Sequence, residues 1–150
     1  MESNVLVRDV MTKNVKVVRE DTSLHEVIAT ISNFDINSIV VVQGHRPVGI
    51  ITTRDVLIRA YEHGMPVSSM KAGMVATTPL ITIDEQATVE EAANLMRRSK
   101  IKHLPVVSND KLVGILTDTD IMLAVPSMLS LMEEVCHQPQ KPIKQTLLSL

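Results

Sequence analysis

Apolar residues fall into two alternating patterns along this chain. Leu24, Val27, Ile28 and Ile31, and again Val89, Ala92, Ala93 and Met96, keep the i, i+3, i+4, i+7 spacing of a half-buried helix. Each stripe is preceded by a hydroxyl, and a glutamate stands three positions after that hydroxyl, in Ser23-Leu24-His25-Glu26 and Thr88-Val89-Glu90-Glu91. These two capping boxes predict where the helices start. Short β-prone runs, VKVV at 15–18 and LITI at 80–83, come before the helices. After them come paired runs, SIVVV with PVGIIT and HLPVV with KLVGILT, broken by the turn residues QGHR and SNDK. A last helix carries Val56, Leu57 and Ala60 in the first half, matched by Ile121, Met122 and Val125 in the second. The predicted order is β, α, β, β, α, twice over.

The second half repeats the first at a fixed offset. VGIITTRDVL at 48–57 returns 65 residues later as VGILTDTDIM at 113–122. Held without a gap from Val10–Ala60 against Val75–Val125, that offset makes 12 of 51 pairs identical, those at 10, 12, 20, 26, 36, 41, 42, 48, 49, 50, 52 and 55. A unit of about 50 residues buries too little surface to stand well alone, so the copies are expected to pack on each other. The expected division is 5–64 for copy one, 65–74 as a connector containing Pro66 and Gly73, 75–125 for copy two, and 126–150 for a C-terminal helix and tail. Pro126 suits the first turn of that helix, and Met128, Leu131, Met132 and Val135 give it an apolar stripe that needs a partner surface. HQPQKPIKQTLLSL has no clear period, so Leu147, Leu148 and Leu150 belong either to a mobile tail or to a docking segment.

Composition narrows the function. One Phe, one Tyr and no Trp against nine Met make an aliphatic core, in which methionine fills irregular gaps. A net charge of −2 gives no cationic field for nucleic acid, and bases would find almost no aromatic platform. The lone Cys136 forms no intrachain disulfide, and no apolar run approaches a membrane span, so a cytoplasmic protein is expected. His25, His45, His63, His103 and His137 show no metal-ligand spacing. Cys136-His137 are helix neighbours that point apart, a poor nucleophile and base. No acid/base or nucleophile set emerges, so the chain is not expected to be an enzyme.

The chemistry concentrates in Thr52-x-x-Asp55 and Thr117-x-x-Asp120, where a strand gives way to a helix. Each Thr can cap the helix and each Asp can complement its dipole. An Asp at such a place can also accept both hydroxyls of a ribose, and the helix N-terminus offers donors to a polar ligand. Gly49 and Gly114 hold equivalent strand positions, where glycine is unfavourable unless something approaches the backbone closely.

With G-h-h-T-x-x-D (h, apolar) present twice, IKHLPVV in copy two and a gapless repeat, the chain resembles a tandem pair of cystathionine-β-synthase (CBS) domains, the Bateman module, over about residues 5–125. The resemblance implies an α+β fold of two β-α-β-β-α motifs related by a pseudo-two-fold axis. It implies two clefts between the copies for adenosine-containing ligands such as AMP, ADP, ATP or S-adenosylmethionine. Carried over by motif, the first cleft uses Thr52, Arg54 and Asp55 with Val15, Lys16 and Ile39. The second uses Thr117, Thr119 and Asp120 with Pro79, Leu80, Ile81 and Leu104. Lys102 and His103, against Asn37 and Ser38 in copy one, are expected to meet phosphates in the Asp55 cleft, making it the better phosphate site. The resemblance further implies a homodimer and a separate effector protein. The alternative reading is a dimerisation scaffold with vestigial clefts.

Overall fold

Ser23 and Thr88 do start helices in the structure, a computed structural model that describes residues 4–136. The tail at 137–150, with Leu147, Leu148 and Leu150, lies outside the described residues. In chain order the elements are α1 (Val7–Val10), β1 (Val17–Val18), α2 (Leu24–Phe34), β2 (Ser38–Gln43), β3 (Arg46–Thr52), α3 (Thr53–His63), α4 (Ala72–Val75), β4 (Ile83–Asp84), α5 (Val89–Ser99), β5 (His103–Ser108), β6 (Lys111–Thr117), α6 (Asp118–Ala124) and α7 (Leu129–Cys136). At Thr88 the capping box is complete, because Glu91 accepts the Thr88 N–H at 3.0 Å. At Ser23 only the hydroxyl half forms, and the Ser23 backbone instead lies in an antiparallel bridge with Lys71.

Each copy builds one three-stranded sheet, β1-β2-β3 and β4-β5-β6, with the first pair parallel and the second antiparallel. The register repeats: Ser38 pairs with Thr52 as His103 pairs with Thr117, and both hairpins slip near the middle, at Val41/Val42 and Val106/Val107. The opening strands are only two residues long, so Val15, Leu80 and Ile81 precede them rather than sit in them.

Segments 5–12 and 67–77 do more than connect. The 3-10 turn Val67–Ser69, Met70 and α4 close the core of copy one with Leu24, Val27, Ile39, Val41 and Ile51. Ala72 N–H donates to Thr22 O at 2.8 Å and Leu24 N–H to Met70 O at 2.9 Å. On the other side, Val7 of α1 is buried in the core of copy two, with Val7 N–H on Ala87 O at 2.8 Å and Val89 N–H on Val5 O at 2.9 Å. The segment that enters each copy therefore packs into the other copy.

The Met128–Val135 stripe finds its partner inside the chain. Met132 and Val135 are 0% and 2% exposed in the core of copy two, with Met128 and Leu131 packed at its margin. Arg97 of α5 pins the outer face of α7 through Glu134 at 3.8 Å. That stripe is thus not a free oligomer surface. A third cluster, Val40, Val42, Ile50 and Ile115 with Val15, Leu80 and Leu112 against it, joins the copies.

Candidate functional site

β3 and β6 end in the two threonines, and there the strand's last residue becomes the helix cap. Thr52 Oγ1 accepts the Asp55 N–H at 3.1 Å and donates to Asp55 Oδ2 at 3.0 Å, while Oδ2 also accepts the Thr52 N–H at 2.9 Å. In copy two, Asp120 N–H donates to Thr117 Oγ1 at 3.1 Å and Asp120 Oδ2 accepts the Thr117 N–H at 3.0 Å. Both pairs are complete capping boxes, so the capping role read from the sequence is realised. Capping uses Oδ2 of each aspartate and leaves Oδ1 outside the cap, where a second donor can be received.

At Asp55 that second oxygen is shared. Thr77 Oγ1 donates to the carboxylate at 3.4 Å from Oδ1, and Arg59, one turn along α3, places Nε 3.8 Å from the same oxygen. Thr77 is the 65-residue counterpart of Thr12, an identity of the repeat whose role the sequence reading did not draw. Arg59 was also missed, although its i+4 relation to Asp55 was visible on a predicted helix. The Asp55 side chain keeps 18% of its surface exposed.

The remaining residues divide by face. Val15 and Leu80 lie together against the cluster between the copies. Pro79 and Ile81 are exposed beside Leu80, and Arg54 and Thr119 are exposed on the first turns of α3 and α6. Thr119 N–H donates to Asp118 Oδ1 at 2.8 Å. Lys16 stacks its ammonium 4.0 Å from the centre of the Phe34 ring, so it is held at the end of α2. Ile39 and Leu104, expected to wall a base, are 0% exposed and belong to the separate cores of the two copies. Period-two alternation explains the difference: Ile39 and Val41 point into the copy-one core, so Val40 faces the seam. Pro105 holds the equivalent position of β5 and pairs with Ile115.

Lys102 and His103 are half-buried at the start of β5, and Lys102 O accepts the Asp118 N–H at 3.1 Å. Burial holds the His103 imidazole below the usual histidine value; Asp118, Asp55 and Asp120 pull it up, and Lys102 pushes it further down. His103 of copy two thus feels the aspartates of both cassettes.

The strand glycines have a plainer cause than a ligand. A Cβ at Gly49 would lie 3.2 Å from Ala76 Cβ and 3.3 Å from Thr77 O; one at Gly114 would lie 2.6 Å from Met11 Sδ and 2.9 Å from Thr12 O. What approaches the backbone is the entry segment of the opposite copy. Among the described residues no group of three or more His, Cys, Asp or Glu could hold a metal ion, and no helix is long and apolar enough to cross a membrane.

Comparison with known proteins agrees with this geometry. The CBS domain family matches residues 7–62 and 72–127. An uncharacterized protein of Methanopyrus kandleri, MK0525, is 31% identical over 142 residues, covering 93% of this chain and 72% of that protein. Hypoxic response protein 1 of Mycobacterium tuberculosis is 27% identical over 132 residues, covering 86% of this chain and 92% of its own length. The CBS domain pair of protein MJ0100, solved in complex with 5′-methylthioadenosine and S-adenosyl-L-methionine, superposes with a TM-score of 0.74 at 25% identity, covering 83% of this chain and 98% of that one. With two matched units, two equivalent sheets and two Thr–Asp caps at equivalent strand ends, this chain belongs to the CBS domain family as a tandem pair.

Proposed function

We propose that this CBS pair is a regulatory module that binds an adenosine-containing ligand, AMP, ADP, ATP or S-adenosylmethionine, at the seam between its copies and reports occupancy to a partner protein. The observation that carries this reading is the doubled Thr–Asp cap, in which one carboxylate oxygen serves the helix and the other lies outside the cap bonds. A cis-diol donates two hydroxyls, and an aspartate fixed by its own cap receives them with little loss of side-chain freedom. The adenosyl ligands of the MJ0100 pair support the choice of ligand class.

Thr52, Arg54 and Asp55 with Lys102 and His103 form the phosphate-accepting cleft, walled by Val15 and Lys16 on one side and by Val40, in place of Ile39, on the other. Thr117, Thr119 and Asp120 with Pro79, Leu80 and Ile81 form the less charged cleft, with Pro105 in place of Leu104. Threonine and aspartate here hold a ligand without transforming it. Calorimetric titration with AMP of Asp55→Ala and Asp120→Ala separately tests the reading. Greater loss in Asp55→Ala is expected; equal loss removes the ranking, and no binding by the unaltered chain to AMP, ADP, ATP or S-adenosylmethionine removes the sensor.

The scaffold alternative has one observation in its favour, an apolar outer face. No residue of α3 is fully buried, and Leu57 and Tyr61, an i, i+4 pair, are 70% and 76% exposed. Leu123 of α6, the counterpart of Ile58, is 79% exposed. A homodimer through these helices covers that face and is compatible with either reading.

A further inference from the structure

Arg59 is held at two points. Its Nε lies 3.8 Å from Asp55 Oδ1, and its Nη1 donates to the backbone carbonyl of Ala76 at 2.7 Å. Ala76 immediately precedes Thr77, whose hydroxyl reaches the same carboxylate and whose N–H donates to Ile50 O at 2.8 Å. One guanidinium thus spans from the acceptor carboxylate of copy one to the chain entering copy two. Among the described residues no ion pair straps the Asp120 cleft in this way. Position 124, the counterpart of Arg59, is alanine, and Asp120 takes part in no ion pair among the described residues.

We propose that Arg59 is a positioning and selectivity residue that occupies Asp55 Oδ1 in the ligand-free protein and competes with a ribose diol for it. The inference rests on the ribose reading given under Proposed function. A diol that takes Oδ1 displaces the Nε contact, and the guanidinium keeps only Ala76 O. An uncharged nucleoside therefore meets a handicap at Asp55 that it does not meet at Asp120. A phosphorylated ligand offsets that handicap through Arg54, Lys102 and His103.

The probe is adenosine, titrated calorimetrically into the full chain carrying Asp120→Ala, with and without Arg59→Met. Methionine keeps the helix and most of the stem while removing both polar contacts. Arg59→Met is expected to tighten adenosine about two- to fivefold, the worth of one partly exposed ion pair released. A residue that merely braced the cap would weaken binding when removed, so unchanged or weaker binding overturns the competition. Amide exchange at Thr77 in the ligand-free protein gives a readout independent of any ligand: about fivefold or faster exchange in Arg59→Met, with Thr12 unchanged. Arg59→Lys keeps the charge but loses the two-point fork, and is expected to exchange like Arg59→Met. Equal Thr77 exchange in Arg59→Met and the unaltered chain, or wild-type exchange in Arg59→Lys, overturns the strap. Adenosine binding in neither background overturns the competition, whereas absence of AMP binding by the unaltered chain overturns the ribose reading instead, and exchange alone then decides the strap.

Discussion

Gly114→Ala and Gly49→Ala add the same methyl group at equivalent strand positions, yet the two seams differ in clearance. At Gly114 the new Cβ lies 2.9 Å from Thr12 O and 2.6 Å from Met11 Sδ. The thioether can swing away, but Thr12 is tied to Ile115 by two backbone bonds of 2.9 Å, so relief there means opening the bridge. Overpacking of this kind costs about 1–3 kcal/mol, and the stiffer unfolded chain returns about 0.4–1 kcal/mol, leaving a net loss of about 0–2.6 kcal/mol, centred on about 1.3 kcal/mol. At Gly49 the neighbours stand at 3.2–3.3 Å and need to give only a few tenths of an ångström, so the net change lies within about 0.5 kcal/mol of zero. Neither glycine has a positive φ, so backbone strain does not enter. In a scanning melt the Gly114 variant is expected to lose about 2–8 °C relative to the unaltered chain and the Gly49 variant little. Equal melting of the two variants, or a more stable Gly114→Ala, refutes the reasoning that the crossing segment is what excludes a side chain.

Burial holds His103 below its usual value of 6.5, so the folded protein binds its proton less readily than the unfolded chain. Its neutral form contributes stability above pH 6.5, and that stability is lost as pH falls through the lower folded value; urea titrations between about pH 5 and pH 8 should show this slope flattened by His103→Gln. Leu57→Asp places a charge on the exposed face of α3, and the proposed homodimer through that face predicts that sedimentation shifts from dimer to monomer while the circular dichroism stays unchanged. A Leu57→Asp protein that still sediments as a dimer excludes this face.

Much of the fold was legible because the signals were local and doubled. The Thr88 box, the Thr52 and Thr117 caps and the two hairpins each rest on residues three or four apart, and the offset of 65 confirmed each against its twin. What was not legible depends on contacts distant in sequence. Nothing near Val7 announces that it fills the core of the far copy, and residues 65–74 look like a linker because their apolar members, Val67, Met70, Ala72 and Met74, pack against elements already passed. That Ile39 and Leu104 face the cores rather than the seam was not legible, because a strand buried on both sides, such as IVVV, carries no alternation from which to read its faces. Gly49 and Gly114 were correctly read as marking a close approach, but the visitor is the protein's own backbone.

The crossed entry segments give the molecule a reciprocity that an ordinary two-copy chain lacks. Cleaved between the copies, the first piece would carry α1 without the core it fills, and the second would carry α4 and Met70, which the first piece needs. Each fragment is then a ligand for the other, and they are matched for complementation in trans. Two separate single-copy chains trading their N-terminal arms would make the same set of contacts, so joining such an arm-exchanged pair by one covalent link reproduces this architecture without inventing a new interface.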